Sequence, residues 1–519
     1  MKKRWLWAAA AAAAYIGLLA LLLAVESAAP EASITTFGRA VWYSLVTLTT
    51  VGYGDYFPVT AAGQVIGLVF LLASTGLLAL LIGAAVSAMT GTLLPRLRLR
   101  LVKGRRWYIF TRLCGESAAL AAHLAQEEPE AVLVFCQTPG EDAQLLAGVK
   151  RYRWNGTPAE AAALRNSLDD CEFLVLGPDG GENYAEAAGL LPLGASVYCQ
   201  TDFVPEPMPA NLTLFDRWDC CARLYWQQRP LRTGETDILL IGGGRCGGAL
   251  LERALLVNVC GPDRAVTYHV FGDDGSFLRS HPQLETALAG RDTVVFHDEP
   301  WDADFSLLTE SGRILLCGDD EGENLDILQR LRRYFPVGGQ VHLRHSRQLD
   351  GTVTFGADGE LFTPELVLRT RLNHIAREMH EIYRRSTGGT APAWEELSDF
   401  LRRSNIAAAD HLLTKIRILL ADDAITDYTA ENCRRAWLVW QDTRAEQGDF
   451  YREIEHVRWV RFHALHNWRY APQRDNTRRL HPDLRAFCEL SAAEQAKDDY
   501  AWELLAPLAD YLEKEARHG

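Results

Sequence analysis

The segment Thr47–Asp55 reads TLTTVGYGD, and its residue types point to chemistry done by backbone oxygens rather than by side chains. Alternating glycines give access to dihedrals closed to residues with a Cβ, so successive carbonyls can turn toward one axis. A ring of such carbonyls can replace the hydration shell of K+, held here at Thr50, Val51, Gly52 and Tyr53 with Gly54 completing the run. Thr50 would add hydroxyl oxygens at the inner end. One chain supplies a quarter of such a ring, which predicts a homotetramer. Trp42 and Tyr43, on a predicted half-length helix Gly38–Leu48, would pack around the segment and hold its diameter.

Two further constellations could bind a small ligand. A predicted strand, Asp237–Ile241, runs into GGGRCGG, where Gly242, Gly244 and Gly247 satisfy GxGxxG before a predicted helix Ala249–Leu256. The backbone N–H groups of such a loop can hold a phosphate or pyrophosphate. Arg245 could meet the phosphate, and Asp273, after the strand Ala265–Phe271, stands near the place of a ribose-binding acid. The glycines could equally serve close helix–strand packing. The third set, Glu455, Arg458, Trp459, Trp468, Tyr470, Arg474 and Asp475, puts aromatics beside arginines, a combination that can stack a planar base and clamp phosphate. It could as well be the core and rim of a small helical domain.

The elements that carry these residues differ sharply in composition. Trp5–Val25 is apolar after Lys2, Lys3 and Arg4, and Ala61–Leu94 is apolar over a length exceeding a bilayer. Residues 26–35, with Glu26, Pro30 and Glu31, are expected as an external turret. Gly76 and Gly83 in the second run are candidate gating hinges or helix-contact positions. Arg96, Arg98, Arg100, Lys103, Arg105 and Arg106 follow at once, which by the positive-inside rule places both ends of this unit, and so both termini, in the cytoplasm of a multi-pass protein of the plasma (inner) membrane.

Beyond residue 107 the pattern becomes strand–helix alternation. Trp107–Phe110, Ala131–Phe135, Cys171–Gly177 and Ala195–Gln200 are expected strands of a first module, 107–230. Its phosphate loop keeps only Gly115 in FTRLCGES, so no dinucleotide is expected there. A second module, 235–388, adds Arg313–Cys317, Gln340–His345 and an amphipathic helix Leu368–Arg385. After a TGGTAPA break at 387–393 the segment 395–516 is mainly helical. The 519 residues carry a net charge of -14, which gives nucleic-acid binding no electrostatic support. Eleven cysteines without a CxxC pair argue for neither zinc nor a disulfide framework.

Residues 1–95, on the strength of Trp42–Thr60, resemble the pore of two-helix potassium channels. That resemblance implies a tetramer selective for K+ over Na+, an external mouth at Asp55 and an inner-helix gate. Val46 stands where some members carry a glutamate paired to the filter aspartate. The two α/β modules resemble the paired domains that regulate conductance of K+ (RCK), which implies an eight-domain gating ring whose ligand moves the inner helices. Residues 398–516 resemble the repeat domain of ryanodine receptors (RyR), through Glu455, His456, Arg458, Trp459, Trp468, Tyr470, Pro472, Asp475, Pro482 and Leu484, with Ala471 in place of a frequent glycine. The expected architecture is thus an all-α transmembrane pore module, two Rossmann-like α/β domains and a helical RyR-like domain. Together they imply a ligand-gated potassium channel, with a nucleotide or dinucleotide regulator and a lipid bilayer as its surroundings. The alternative is a nucleotide-second-messenger sensor that depolarises the membrane in a stress or anti-phage response. No catalytic constellation is apparent, so an enzyme is not expected.

Overall fold

Three helices, α1 (Lys2–Glu26), α2 (Phe37–Leu48) and α3 (Ala61–Ala88), build most of the unit 1–103 in the computed structural model. The described residues are 2–89, 94–102, 106–136, 145–165, 167–261, 264–288 and 291–518; Lys103 and Arg105 of the basic cluster lie outside them. α2 starts on Thr36, whose hydroxyl oxygen accepts from the Arg39 amide at 3.4 Å, and α3 on Thr60, which accepts from the Gly63 amide at 2.9 Å. The helices meet over Leu19, Leu22, Ile34, Ala40, Ile66 and Phe70. Gly67 lets α3 come close, because a Cβ there would lie 2.6 Å from the Tyr43 hydroxyl. α3 runs unbroken through Gly76 and Gly83, and both have open space where a Cβ would be, so neither makes a close helix contact within the chain.

Among the described residues no helix is long and apolar enough to cross a membrane; the described side chains begin at residue 13 in α1 and are interrupted within α3. Those of α3 that are described include exposed Val65, Leu68, Leu71, Leu72 and Ile82. A row of this kind needs a lipid or protein neighbour to cover it.

The unit 104–519 holds two six-stranded parallel sheets. The first comprises β1 (Trp107–Phe110), β2 (Val132–Cys136), β3 (Tyr152–Trp154), β4 (Cys171–Val175), β5 (Ser196–Gln200) and β6 (Leu212–Phe215), in the order β3-β2-β1-β4-β5-β6. The second comprises β7 (Asp237–Ile241), β8 (Thr267–Phe271), β9 (Thr293–His297), β10 (Arg313–Leu316), β11 (Gln340–Arg344) and β12 (Val353–Phe355), in the order β12-β11-β10-β7-β8-β9. Each has the doubly wound Rossmann order, its first strand lying centrally at the switch point where ligands bind. The eight expected strands are present with ends shifted by up to two residues. The amphipathic helix expected from Leu368 instead starts at His374, because Thr370 is left-handed (φ 48°) and a 3-10 turn, Arg371–Asn373, intervenes.

One core runs through both modules: Phe110, Phe135, Tyr225, Leu250 and Leu315 belong to a single buried cluster that also takes in Phe462 of the C-terminal part. The C-terminal helices Asp399–Leu420, Ala430–Leu465 and Leu505–His518 form a second core around Leu412, Ile416, Trp440 and Trp502. The helix His374–Ser386 adds Ile375, Ala376 and Met379 to that second core.

Candidate functional site

In the segment Thr50–Gly54 the left-handed residues alternate: φ is 59° at Thr50, 61° at Gly52 and 72° at Gly54, whereas Val51 and Tyr53 do not share that conformation. In an extended chain successive carbonyls point to opposite sides. Inverting every second residue brings them to the same side, as a carbonyl-lined path requires. α2 anchors the start of the segment: the carbonyl of Val46 accepts from the amides of Val51 and Gly52, at 3.0 and 3.3 Å. Trp42 Nε1 donates to Asp55 Oδ2 at 2.8 Å, and its ring stacks on Tyr53 with 6° between planes and centroids 6.2 Å apart. Asp55 thus has a partner although Val46 stands where a glutamate could be.

Within the chain the Tyr43 ring meets Phe70 of α3 edge-on at 6.4 Å. One expectation for this unit is corrected. Glu26 is not part of an external turret but fully buried, and its carboxylate accepts from the amides of Val59 and Thr60, at 2.9 and 3.0 Å, and from the Thr60 hydroxyl at 2.5 Å. It thereby ties the chain just past the filter to the end of α1. An acid closing a long apolar run was the sequence signal for this role.

At the glycine loop every motif glycine answers to a protein atom. Gly242 (φ 116°) abuts the backbone of Gly318, Gly247 abuts the carbonyl of Gly242, and a Cβ on Gly244 would lie 2.5 Å from Asp319 Oδ2. The helix starts inside the motif, Arg245–Val257, instead of at Ala249. Its first amides, on Arg245 and Cys246, donate to Asp319 Oδ2 and Oδ1 at 3.0 and 3.2 Å. This carboxylate, just beyond β10, takes the position a phosphate would occupy at a helix N-terminus. Asp273 closes its own turn, accepting from the Gly275 amide at 2.9 Å and the Ser276 hydroxyl at 3.2 Å. The side chain of Arg245 is exposed. A cleft of about 540 Å³ in front of the loop is lined by six carboxylates, among them Asp274 and Asp319, against three guanidinium groups, Arg245, Arg253 and Arg403.

The other end of the loop helix is held by the C-terminal helices. The carbonyls of Leu255, Val257 and Val259 accept from Arg461 Nη1 at 3.1 Å, Thr414 Oγ1 at 2.7 Å and His411 Nε2 at 2.9 Å. A helix end leaves such carbonyls without intrahelical partners, so these bonds form a direct mechanical link.

The aromatic–arginine constellation divides into an interior and a surface part. Glu455 and Arg458, placed at a ligand by sequence, are buried: Glu455 accepts from Lys415 Nζ at 2.7 Å and from Arg458 Nη2 at 2.6 Å. Burial opposes charge on Glu455, but Arg458 and Lys415 outweigh it and hold the carboxyl below its ordinary range. Trp459 lies between His456 and His463, and Trp468 is buried against Val460 and Leu484. Tyr470 and Arg474 are exposed on the loop region whose two short strands, Arg469–Tyr470 and Leu480–His481, pair in parallel, and Asp475 closes its turn by accepting from the Arg478 amide at 3.1 Å. Of this set Glu455, Arg458 and Trp468 are thus buried, whereas Tyr470 and Arg474 face solvent.

Asp498, a residue sequence reasoning missed, borders the interior group. Burial and the nearby Glu455 push its pKa up to about 8 from an ordinary 3.8, so it is largely protonated at neutral pH. Because the folded-state value is raised, stability linked to this group is full below the ordinary value and lost as pH rises toward 8. Asp498→Asn, neutral at every pH, is expected to raise the melting temperature by an amount that grows from about pH 4 to about pH 8 and then levels. Thermal unfolding of the two proteins across that range checks it; a pH-independent difference counts against the assignment.

Residues 7–91 match the protein family described as "Ion channel" (Ion_trans_2). The first unit therefore carries an ion-channel domain, which makes the chain a membrane protein, and the second unit carries two Rossmann-type modules. A voltage-gated potassium channel of Aeropyrum pernix is 48% identical over 59 residues, 11% of this chain and 20% of the relative. The Shaker-related potassium channel tsha2 of Oncorhynchus mykiss is 37% identical over 62 residues, 12% of this chain and 13% of the relative. The chain thus spans a fifth or less of the length of these curated relatives. Among solved structures, the GsuK channel bound to ADP aligns with 70% of this chain and 96% of its own, at 14% identity and a TM-score of 0.34.

Proposed function

We propose that the chain is one subunit of a homotetrameric, potassium-selective channel of the plasma (inner) membrane, gated by a nucleotide-type ligand acting on residues 104–519. The observation that carries the reading is the alternation of left-handed residues at Thr50, Gly52 and Gly54 in a segment anchored by Val46 and Trp42. K+ would be held by the carbonyls of Thr50, Val51, Gly52 and Tyr53. The exposed apolar residues of α3 support burial by lipid and neighbouring subunits. Two Rossmann modules per chain make eight in a tetramer, enough for a gating ring of the kind the sequence resemblance implies. The bonds from Arg461, Thr414 and His411 to the loop helix favour coupling between the C-terminal helices and the second module.

Full-length protein reconstituted in liposomes tests this. Potassium efflux is expected with sodium largely excluded, and nucleotides are expected to change the rate. Equal sodium and potassium flux would overturn the selectivity; flux indifferent to every nucleotide would overturn the gating.

A further inference from the structure

The charged cleft described above shares the lining residues Asp202, Asp216, Asp219, Glu252, Arg253 and Arg403 with a second cavity, of about 240 Å³. This inner cavity lies where three parts of the chain meet: the C-terminal ends of β5 and β6, the loop helix, and the helix Asp399–Leu420 with Trp394 just before it. Most of its charges are already neutralised. Asp219 pairs with Arg253 at 2.6 Å, Asp399 with Arg403 at 2.8 Å, and Arg223 and Arg253 both reach Asp410, at 2.8 and 2.9 Å. Asp216 caps the helix Arg217–Gln228, accepting from the amides of Trp218 and Asp219 at 2.9 and 3.2 Å.

Two lining groups remain without partners. Among the described residues the half-buried guanidinium of Arg402 makes no ion pair and no side-chain hydrogen bond, and neither does the exposed carboxylate of Asp202, two residues beyond β5. The indole of Trp394 lines the same cavity, with the Arg377 guanidinium 5.5 Å from its ring. An unpaired guanidinium selects a phosphate, a carboxylate at the C-terminal end of a parallel strand suits ribose hydroxyls, and an indole can pack against a base. Thr370, left-handed at φ 48°, lines the same cavity. Such backbone strain in a non-glycine residue persists where surrounding structure holds it and is frequent at ligand sites.

We infer that this junction cavity binds a nucleoside phosphate, with its phosphate on Arg402, its ribose toward Asp202 and its base against Trp394. The inference deepens the nucleotide-gating reading and rests on it for its consequence in gating, but not for binding. It moves the ligand away from the glycine loop, where Asp319 already occupies the helix N-terminus. A ligand here would touch both Rossmann modules and the C-terminal helices at once.

The test uses the detergent-solubilised full chain, with AMP, GMP, adenosine and inorganic phosphate as probes in thermal-shift and calorimetric titrations. At least one of the two nucleotides is expected to raise the melting temperature and to bind more tightly than either phosphate or adenosine. Arg402→Ala is expected to weaken that nucleotide about tenfold or more, Arg402→Lys less, and Arg245→Ala not at all. Arg402 has no partner to lose, so the unliganded variant should melt with the wild type. No shift by either nucleotide, phosphate binding as tight as nucleotide, or loss through Arg245→Ala instead of Arg402→Ala overturns the site. Ligand-free potassium flux is the separate readout: if it persists while binding fails, the site is wrong and the channel reading stands.

Discussion

Gly52→Ala is expected to abolish potassium-selective flux. At Gly52 φ is 61°, and nothing lies within 4 Å of the position a Cβ would take, so a methyl group meets no neighbour in the chain. The penalty comes from the backbone: an L-residue in the left-handed region costs about 1–2 kcal/mol. In a fourfold ring the same change occurs in every subunit and totals about 4–8 kcal/mol against the conducting geometry. The alanine backbone is expected to relax to negative φ and turn one carbonyl ring away from the axis. Gly38→Ala is the matched control, because Gly38 also has open space at Cβ but lies inside α2 with no left-handed requirement. Flux assays in liposomes should show a drop on the order of a hundredfold or more for Gly52→Ala and near-wild-type flux for Gly38→Ala. Selective flux surviving in the Gly52 variant would remove the filter assignment.

The alternating backbone of Thr50–Gly54 was legible because it resides in consecutive residues, so local residue types carry the whole signal. The central strands were legible for a related reason. Strands covered on both faces read as near-continuous apolar runs, as in VLVFC of β2 and DILLI of β7. All four strands absent from the sequence expectation, β3, β6, β9 and β12, are sheet edges. Their sequences, YRW, LTLF, TVVFH and VTF, are short or half-exposed, and an edge needs no unbroken apolar run. The candidate ligand sites were less legible because their character depends on partners distant in the chain. GxGxxG predicts a phosphate loop by itself, yet Asp319, beyond the next three strands, supplies the anion at that helix N-terminus. Glu455 and Arg458 look like a surface clamp until Lys415 closes on Glu455 inside the core. Arg402 drew no attention, since an unpaired charge is recognisable only once its surroundings are known.

The second large effect is expected at the contact between Asp292 and Arg461, whose side chains are each 2% exposed. Asp292 Oδ2 accepts from Arg461 Nη1 at 2.6 Å, while Oδ1 accepts from the Val266 amide at 2.9 Å, so one carboxylate joins the second module's sheet to the long C-terminal helix. Asp292→Ala leaves a guanidinium buried without its counter-charge and a backbone amide without its acceptor. Breaking a buried pair from one side costs about 3–5 kcal/mol. Arg461→Met alone should cost less, since Asp292 keeps the Val266 amide and the aliphatic replacement fills part of the volume. The double variant Asp292→Leu/Arg461→Met should recover much of the loss, because two charges leave the interior together. Denaturant unfolding of the wild type and the three variants checks this. If Asp292→Ala matched the wild type, the pair would have to be solvated rather than buried. If instead all three proteins unfold normally but the nucleotide response of flux is lost only where the pair is broken, the contact carries coupling between the C-terminal helices and the second module, as the bond from Arg461 Nη1 to the Leu255 carbonyl at the end of the loop helix leads one to expect.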